Sequence, residues 1–423
     1  MQYIAIAVCA ACFLVSWKRE KSIFGPGTML SGLWMIITIL ASMKLYGLYE
    51  ADSFAYLLIT IGIVFFGLGC ALKRRVRFVF GSTPKEVPVA LDQSSEIGEI
   101  NITILHILCI FSALMMIYPD YLAIKFLLVN GFDMTQIRAE FDMPYSNLVL
   151  RLLYNYVVLP FSFAASPIFA ATQFLGRKKD NIVLFSVSFI VFSRLLTEGG
   201  RVIVLYFLLA FLAARSMTKT KQQQKRKIAV YVLIALGLFA VFAVTNSRTN
   251  QSLFEHLYIY LCGVVPHLSA RLKEVNSQGI LTYGLASVFG YVEFIFTMLE
   301  NIGFPYPSFI KVVADAVNQV VQTTIPIANN DVLFNAFVSP IYYMYCDGRT
   351  LGVIIEMFLY GMVSFHFYQK FQSRKSYRNL ALYLLILQGL AFSFVRIQFA
   401  VLHYALAFFF ICFVFDNKIR NAT

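Results

Sequence analysis

Apolar runs recur along almost the whole chain, and every second break between them carries a basic cluster. The clusters are Lys18-Arg19-Lys21, Lys73-Arg74-Arg75-Arg77, Arg177-Lys178-Lys179, Lys219 to Lys227, Arg374-Lys375-Arg378 and Lys418-Arg420. Lipid offers a backbone no hydrogen-bond partners, so runs of this kind cross a bilayer as helices. The alternation of basic breaks then fixes which ends stay in the cytoplasm. Composition agrees: hydrophobic residues reach 59% and charged ones only 13%, against roughly 25% charged in a soluble domain. A net charge of +13 would otherwise point to a polyanion partner. Here the orienting clusters account for it, and no nucleic acid is expected.

The expected fold is all-α and polytopic, one integral membrane domain over 1–423. About eleven spans are counted: 1–17, 28–43, 53–72, 102–118, 148–175, 182–196, 202–214, 228–245, 351–368, 380–395 and 399–415. Residues 257–266 and 285–299 are apolar enough to enter the membrane, as re-entrant segments or as extra spans that would raise the count to thirteen. Basic residues follow the first run but do not precede it, which places the N-terminus outside; the C-terminus then lies inside. External breaks fall at 45–52, at a loop over 119–147, at the hairpin Thr197-Glu198-Gly199-Gly200-Arg201, at a large lobe over 246–349 and at Arg396-Ile397-Gln398.

The external side is where the chemistry is expected. Eight of its twelve cations are arginines, and a guanidinium grips phosphate or carboxylate through a fork that lysine lacks. Arg201 follows two glycines, which let a ligand approach the backbone closely. Arg248, Arg138, Arg271 and Arg396 complete the candidate anion ligands, whereas Arg151 and Arg194 read as interfacial arginines reaching for headgroups. His267 stands four residues before Arg271, on one face if the stretch is helical, and is a candidate general base with Asp347 as the alternative. Other acids on this side include Glu198, Glu293 and Glu300; Tyr258, Tyr260, Tyr283, Tyr342 and Tyr343 are candidate sugar-stacking residues. No paired Cys/His array or HExxH motif is present, and no metal or cofactor is expected. The acidic pairs Glu50/Asp52 and Glu140/Asp142 are common chance spacings. Seven scattered cysteines form no framework, although Cys262 and Cys346 share the external side and could pair.

Ser22-Ile23-Phe24-Gly25-Pro26, Tyr46-Gly47-Leu48-Tyr49, Gly131-Phe132-Asp133 with Ile137-Arg138, Gly199-Gly200-Arg201, Asn246-Ser247-Arg248, Thr282-Tyr283-Gly284, and Asn335 with Asp347-Gly348 follow one another along nearly the whole chain. In that order they resemble the O-antigen or oligosaccharide repeat-unit polymerases of the Wzy type. The resemblance implies a GT-C-like glycosyltransferase of the bacterial inner membrane that takes undecaprenyl-diphosphate-linked oligosaccharides as donor and acceptor at the periplasmic face. It also implies a chain-length-regulating co-polymerase as partner. A flippase would want charges deep within spans and two related halves. An O-antigen ligase would share the leaving group and differ in acceptor.

Overall fold

The computed structural model describes residues 1–72, 100–129, 144–176, 180–198, 202–218, 253–329 and 332–415. The chain is mostly helical. Helices α1 (Gln2–Glu20), α2 (Pro26–Ser42), α3 (Ser53–Ala71), α4 (Ile102–Val129), α5 (Leu148–Leu175), α6 (Asn181–Glu198) and α7 (Val202–Thr218) are followed by a lobe. The lobe holds α8 (Leu253–Cys262), α9 (Val264–Gln278), α10 (Phe289–Asn301), α11 (Ser308–Gln322) and the antiparallel pair β1 (Ile325–Ala328) and β2 (Val332–Phe334). Then α12 (Ser339–Ser373), α13 (Tyr377–Ala391) and α14 (Leu402–Val414) return to the bundle.

Among the described residues, α3, α4, α5 and α12 are long and apolar enough to cross a membrane, and α2, α6, α7 and α14 are shorter apolar helices. An all-α membrane protein accounts for this pattern. Among the described residues, neither α8 nor α10 is among the helices long and apolar enough to cross a membrane. Residues 228–245 lie outside the described residues.

The first hairpin shows how local sequence sets the packing. The Glu20 carboxylate turns back over the start of α2 and accepts from the Gly27 and Thr28 amides at 3.1 and 2.9 Å and from Thr28 Oγ1 at 2.9 Å. It thereby occupies the helix end, where free N–H groups favour an anion. A Cβ at Gly25 or Gly27 would collide with that side chain, which gives Ser22-Ile23-Phe24-Gly25-Pro26 its steric reason. Arg19 pairs with Glu20 at 2.9 Å and sits over the Phe365 ring of α12. Deeper in, α3 and α12 cross at Gly69 against the Phe358 carbonyl and Gly361 against the Phe66 carbonyl, the small-residue approach that membrane helices use.

The described basic breaks 18–21 and 374–378 lie at neighbouring helix ends. Tyr368 and Tyr383 donate to the Glu20 and Phe24 carbonyls, Tyr377 stacks on Phe415, Ile100 bridges Phe415, and His106 meets Asp180 at 2.6 Å. Three boundaries differ from expectation. Helix α4 runs through Pro119 to Val129, and Asp120, one residue on, accepts from Ser193 of α6 at 2.5 Å; any loop starts after it, and 130–143 lie outside the described residues. Helix α12 starts at Ser339 and kinks at Gly348 and Arg349, whose φ is +55°, so the lobe closes on a helix already begun. The link 392–401 is largely buried and irregular instead of an open turn, with Ser393 fully covered, and its Val395 carbonyl accepts from the Val338 and Ser339 amides.

Candidate functional site

Within the lobe, His267 and Arg271 lie one turn apart on α9, as their spacing requires. The His267 Nδ1–H donates to the Phe337 carbonyl at 2.8 Å, and its Nε2 accepts from Arg271 Nε at 3.1 Å. Arg271 Nη1 meets Glu274 at 2.7 Å and Nη2 donates to the Thr323 carbonyl at 2.6 Å. Both side chains are almost wholly covered. Burial and the neighbouring guanidinium hold the imidazole neutral, pushing its pKa down to about 4. These bonds tie α9 to the ends of α11 and β2. His267 has no open lone pair for a substrate hydroxyl, and Arg271 spends three donors on its own protein, so neither stands where an open base or an anion ligand would.

Asp347 is likewise occupied. Its Oδ1 accepts from Thr282 Oγ1 at 2.6 Å and from the Ala286 amide at 2.8 Å, and its Oδ2 from the Ser287 amide at 2.9 Å. The carboxylate fastens the loop that turns through Tyr283 and Gly284, both at positive φ, and leads into α10. Asn335 donates to the Val321 carbonyl at 3.0 Å, Tyr258 to Leu40 at 2.8 Å and Tyr342 to Ala316 at 3.0 Å. These are struts, while Tyr283 is 79% exposed. Cys262 and Cys346 are both buried free thiols, so the pairing entertained from sequence is not made. Among the described residues no three His, Cys, Asp or Glu side chains gather as metal ligands.

Arg396 differs from these. It lies in the link between α13 and α14, half-buried, and its Nε is closed off from solvent with no hydrogen-bond partner among the described residues. The Tyr206 phenol of α7 and the Tyr343 phenol of α12 lie within reach of its charge. Gln388 donates to the Tyr206 carbonyl at 3.4 Å and leaves its own Oε1 buried and unpartnered. Phe163 packs 6.1 Å from Tyr206 and supports Arg194, whose Cζ lies 5.1 Å from its ring and whose Nη1 donates to Ser162 at 3.1 Å. Arg194 is 3% exposed, so the headgroup-reaching role expected for it is replaced by an interior one. From the lobe, Phe337 bridges Tyr260 and Phe394, connecting the His267 strut to the Arg396 link through an aromatic layer. A buried N–H of a cation left without a partner is costly, so the Arg396 Nε is a donor that an anion would satisfy.

Glu293, on α10, gains weight from its surroundings. Burial raises its carboxyl above the ordinary range, and it lies within electrostatic reach of Tyr156 and Tyr306. Tyr156 belongs to a π-helical turn at Tyr154–Val158 in α5, the kind of irregularity that often marks a functional site, and Phe294 packs on it at 5.7 Å. In sequence Glu293 was one acid among several, and only the α10–α5 contact singles it out. Arg138, Arg201 and Arg248 lie outside the described residues. Compared with protein-family models, curated proteins and solved structures, the chain matches none.

Proposed function

We propose that the chain is a membrane glycosyltransferase that polymerises lipid-diphosphate-linked oligosaccharide repeat units at the extracytoplasmic face of the bacterial inner membrane. Its N-terminus is periplasmic and its C-terminus cytoplasmic. The supporting observation is the buried, unpartnered Arg396 Nε, in the link under the lobe with the Tyr206 and Tyr343 phenols within reach of its charge. It takes the diphosphate of one undecaprenyl-linked substrate, with Arg201, Arg248 and Arg138 as ligands to the second lipid diphosphate or to an acidic sugar. A hydroxyl of the incoming repeat unit attacks the anomeric carbon of the growing chain. The new glycosidic C–O bond forms as the bond to the lipid diphosphate breaks, and guanidinium groups stabilise the charge that develops on the leaving group. A carboxyl with a raised pKa is suited to accept the hydroxyl proton, and Glu293, outside the spans, is a described residue that fits. His267, Arg271 and Asp347 act at one remove, by holding the lobe and the Thr282–Ser287 loop in place.

The test is the glycan ladder made by cells carrying Arg396→Lys and Arg396→Ala at matched membrane abundance. Loss of a charged donor to a transition state costs roughly 3 kcal/mol, on the order of a hundredfold in rate. Arg396→Ala should collapse the ladder, and Arg396→Lys, which keeps the charge but not the fork, should shorten it severely. A normal ladder from Arg396→Ala would remove the support for this reading. Transfer of preformed chains to a lipid A core, without elongation, would mark the ligase instead.

A further inference from the structure

The outer face of α10 and its turn into α11 present an apolar surface of uncommon size for a lobe expected in water. Ile295, Ile302, Phe304, Phe309 and Val312 are each between 52% and 70% exposed. They are not scattered. Phe296 touches both Tyr306 and Phe309 at 6.3 Å, so the end of α10, the loop 302–307 and the start of α11 form one corner. Contiguous patches of this kind mark contacts with other proteins or with lipid.

Two observations select lipid. Tyr291, at the start of α10, meets Phe409 edge-on at 6.0 Å, and Phe409 lies seven residues into α14, roughly 10 Å along that apolar helix. The first turn of α10 therefore runs beside α14 well within its length. The positions 291, 295, 298 and 302 then form one helical stripe, which leads from the contact with α14 to the corner. Phe409 and Phe413 of the apolar helix α14 are themselves 57% and 64% exposed, so exposed apolar side chains stand on both helices that meet at the Tyr291–Phe409 contact. Beside that stripe α10 packs inward, with Gly290 against the Val401 carbonyl and Phe294 on Tyr156. Lys311, exposed between Phe309 and Val312, stands where an ammonium would meet lipid phosphate at the edge of such a surface.

We infer that α10 and the 302–312 corner are embedded in the membrane leaflet, as a monotopic arm that enters from the lobe side and does not cross. Only the corner and the outer stripe of α10 touch lipid, while the polar face of α11, with Asp315 and Asn318, stays in water. The inference does not depend on the proposed reaction. It is tested by attaching a nitroxide to Phe304→Cys and, separately, to Ile302→Cys in the full chain reconstituted in phosphatidylethanolamine/phosphatidylglycerol vesicles, with Asn318→Cys as the reference on the polar face. The unsubstituted chain measures labelling of the native thiols. Collision rates with oxygen, which partitions into lipid, and with a water-soluble nickel chelate then report depth. The expected result is that labels at 302 and 304 collide at least several-fold more with oxygen than with nickel, and the label at 318 the reverse. Nickel access at 302 and 304 equal to that at 318 would put the corner in water and overturn the inference. Exclusion of both reagents at 302 and 304 would do the same, by showing that protein covers it.

Discussion

Replacing Asp347 by asparagine separates a carboxylate that holds a loop from one that performs chemistry. In Asp347→Asn the amide oxygen can keep the Thr282 hydroxyl and the Ala286 amide, now bonded at 2.6 and 2.8 Å. The amide nitrogen then faces the Ser287 N–H, so a bond of 2.9 Å becomes a donor facing a donor. Losing one hydrogen bond to a charged acceptor and stranding one buried N–H costs about 2–3 kcal/mol. Asp347→Ala strands three donors, on the order of 5 kcal/mol, a large share of a typical stability of roughly 5–15 kcal/mol. Asparagine is therefore the informative change. Hydrogen exchange on the purified protein should show the Ala286 and Ser287 amides opening roughly thirty- to a hundredfold faster, with α3 and the second half of α12 unchanged. If exchange at 286 and 287 is unaltered, the loop does not hang on this carboxylate. If it is unaltered and polymer is lost, Asp347 acts on the substrate, as its sequence position first suggested.

His267 is held neutral, its pKa lowered from 6.5 to about 4, so its contribution to stability is complete above pH 6.5 and drains away as the pH falls towards 4. The full loss is roughly 3 kcal/mol. Thermal unfolding in detergent at pH 7 and pH 4.5 should show it, and His267→Gln should flatten the difference; an equal fall in both proteins would contradict the buried neutral imidazole. Glu293→Gln should leave binding of the lipid diphosphate intact while stopping elongation. Wild-type turnover should climb with pH as the raised carboxyl of Glu293 ionises, and a profile flat through that rise would exclude it as the base.

The helical membrane class was legible because it follows from run length and charge alone, and the shared face of His267 and Arg271 because four residues make a turn. What those two side chains hold was not legible. Phe337 and Thr323 stand 70 and 52 residues further along, and no local period announces such a contact. The same distance hid the partners of Asp347, the alternative candidate base, whose three donors lie 60 to 65 residues before it. Pro119 reads as the end of a span, because proline removes a helix hydrogen bond. The helix nonetheless continues to Val129, packed on α6 through the Asp120–Ser193 bond, and that contact is tertiary. Arg396 was visible as a charge between two apolar runs, but the burial that leaves its Nε without a partner depends on how the 392–401 link folds under the lobe. The Ser22 to Pro26 stretch was visible as a motif before it had a reason, which the Glu20 carboxylate supplies from outside it.

The most direct measurement is to purify the chain, reconstitute it without other proteins in vesicles, and supply a synthetic undecaprenyl-diphosphate-linked repeat unit on the side reached by the lobe. Glycan length and free lipid diphosphate are then followed together. The expected result is a ladder of lipid-linked chains with one lipid diphosphate released for each unit added, and neither product from Arg396→Ala. Movement of the intact lipid-linked unit across the bilayer, with no ladder and no lipid diphosphate released, would contradict the assignment and make the chain a transporter.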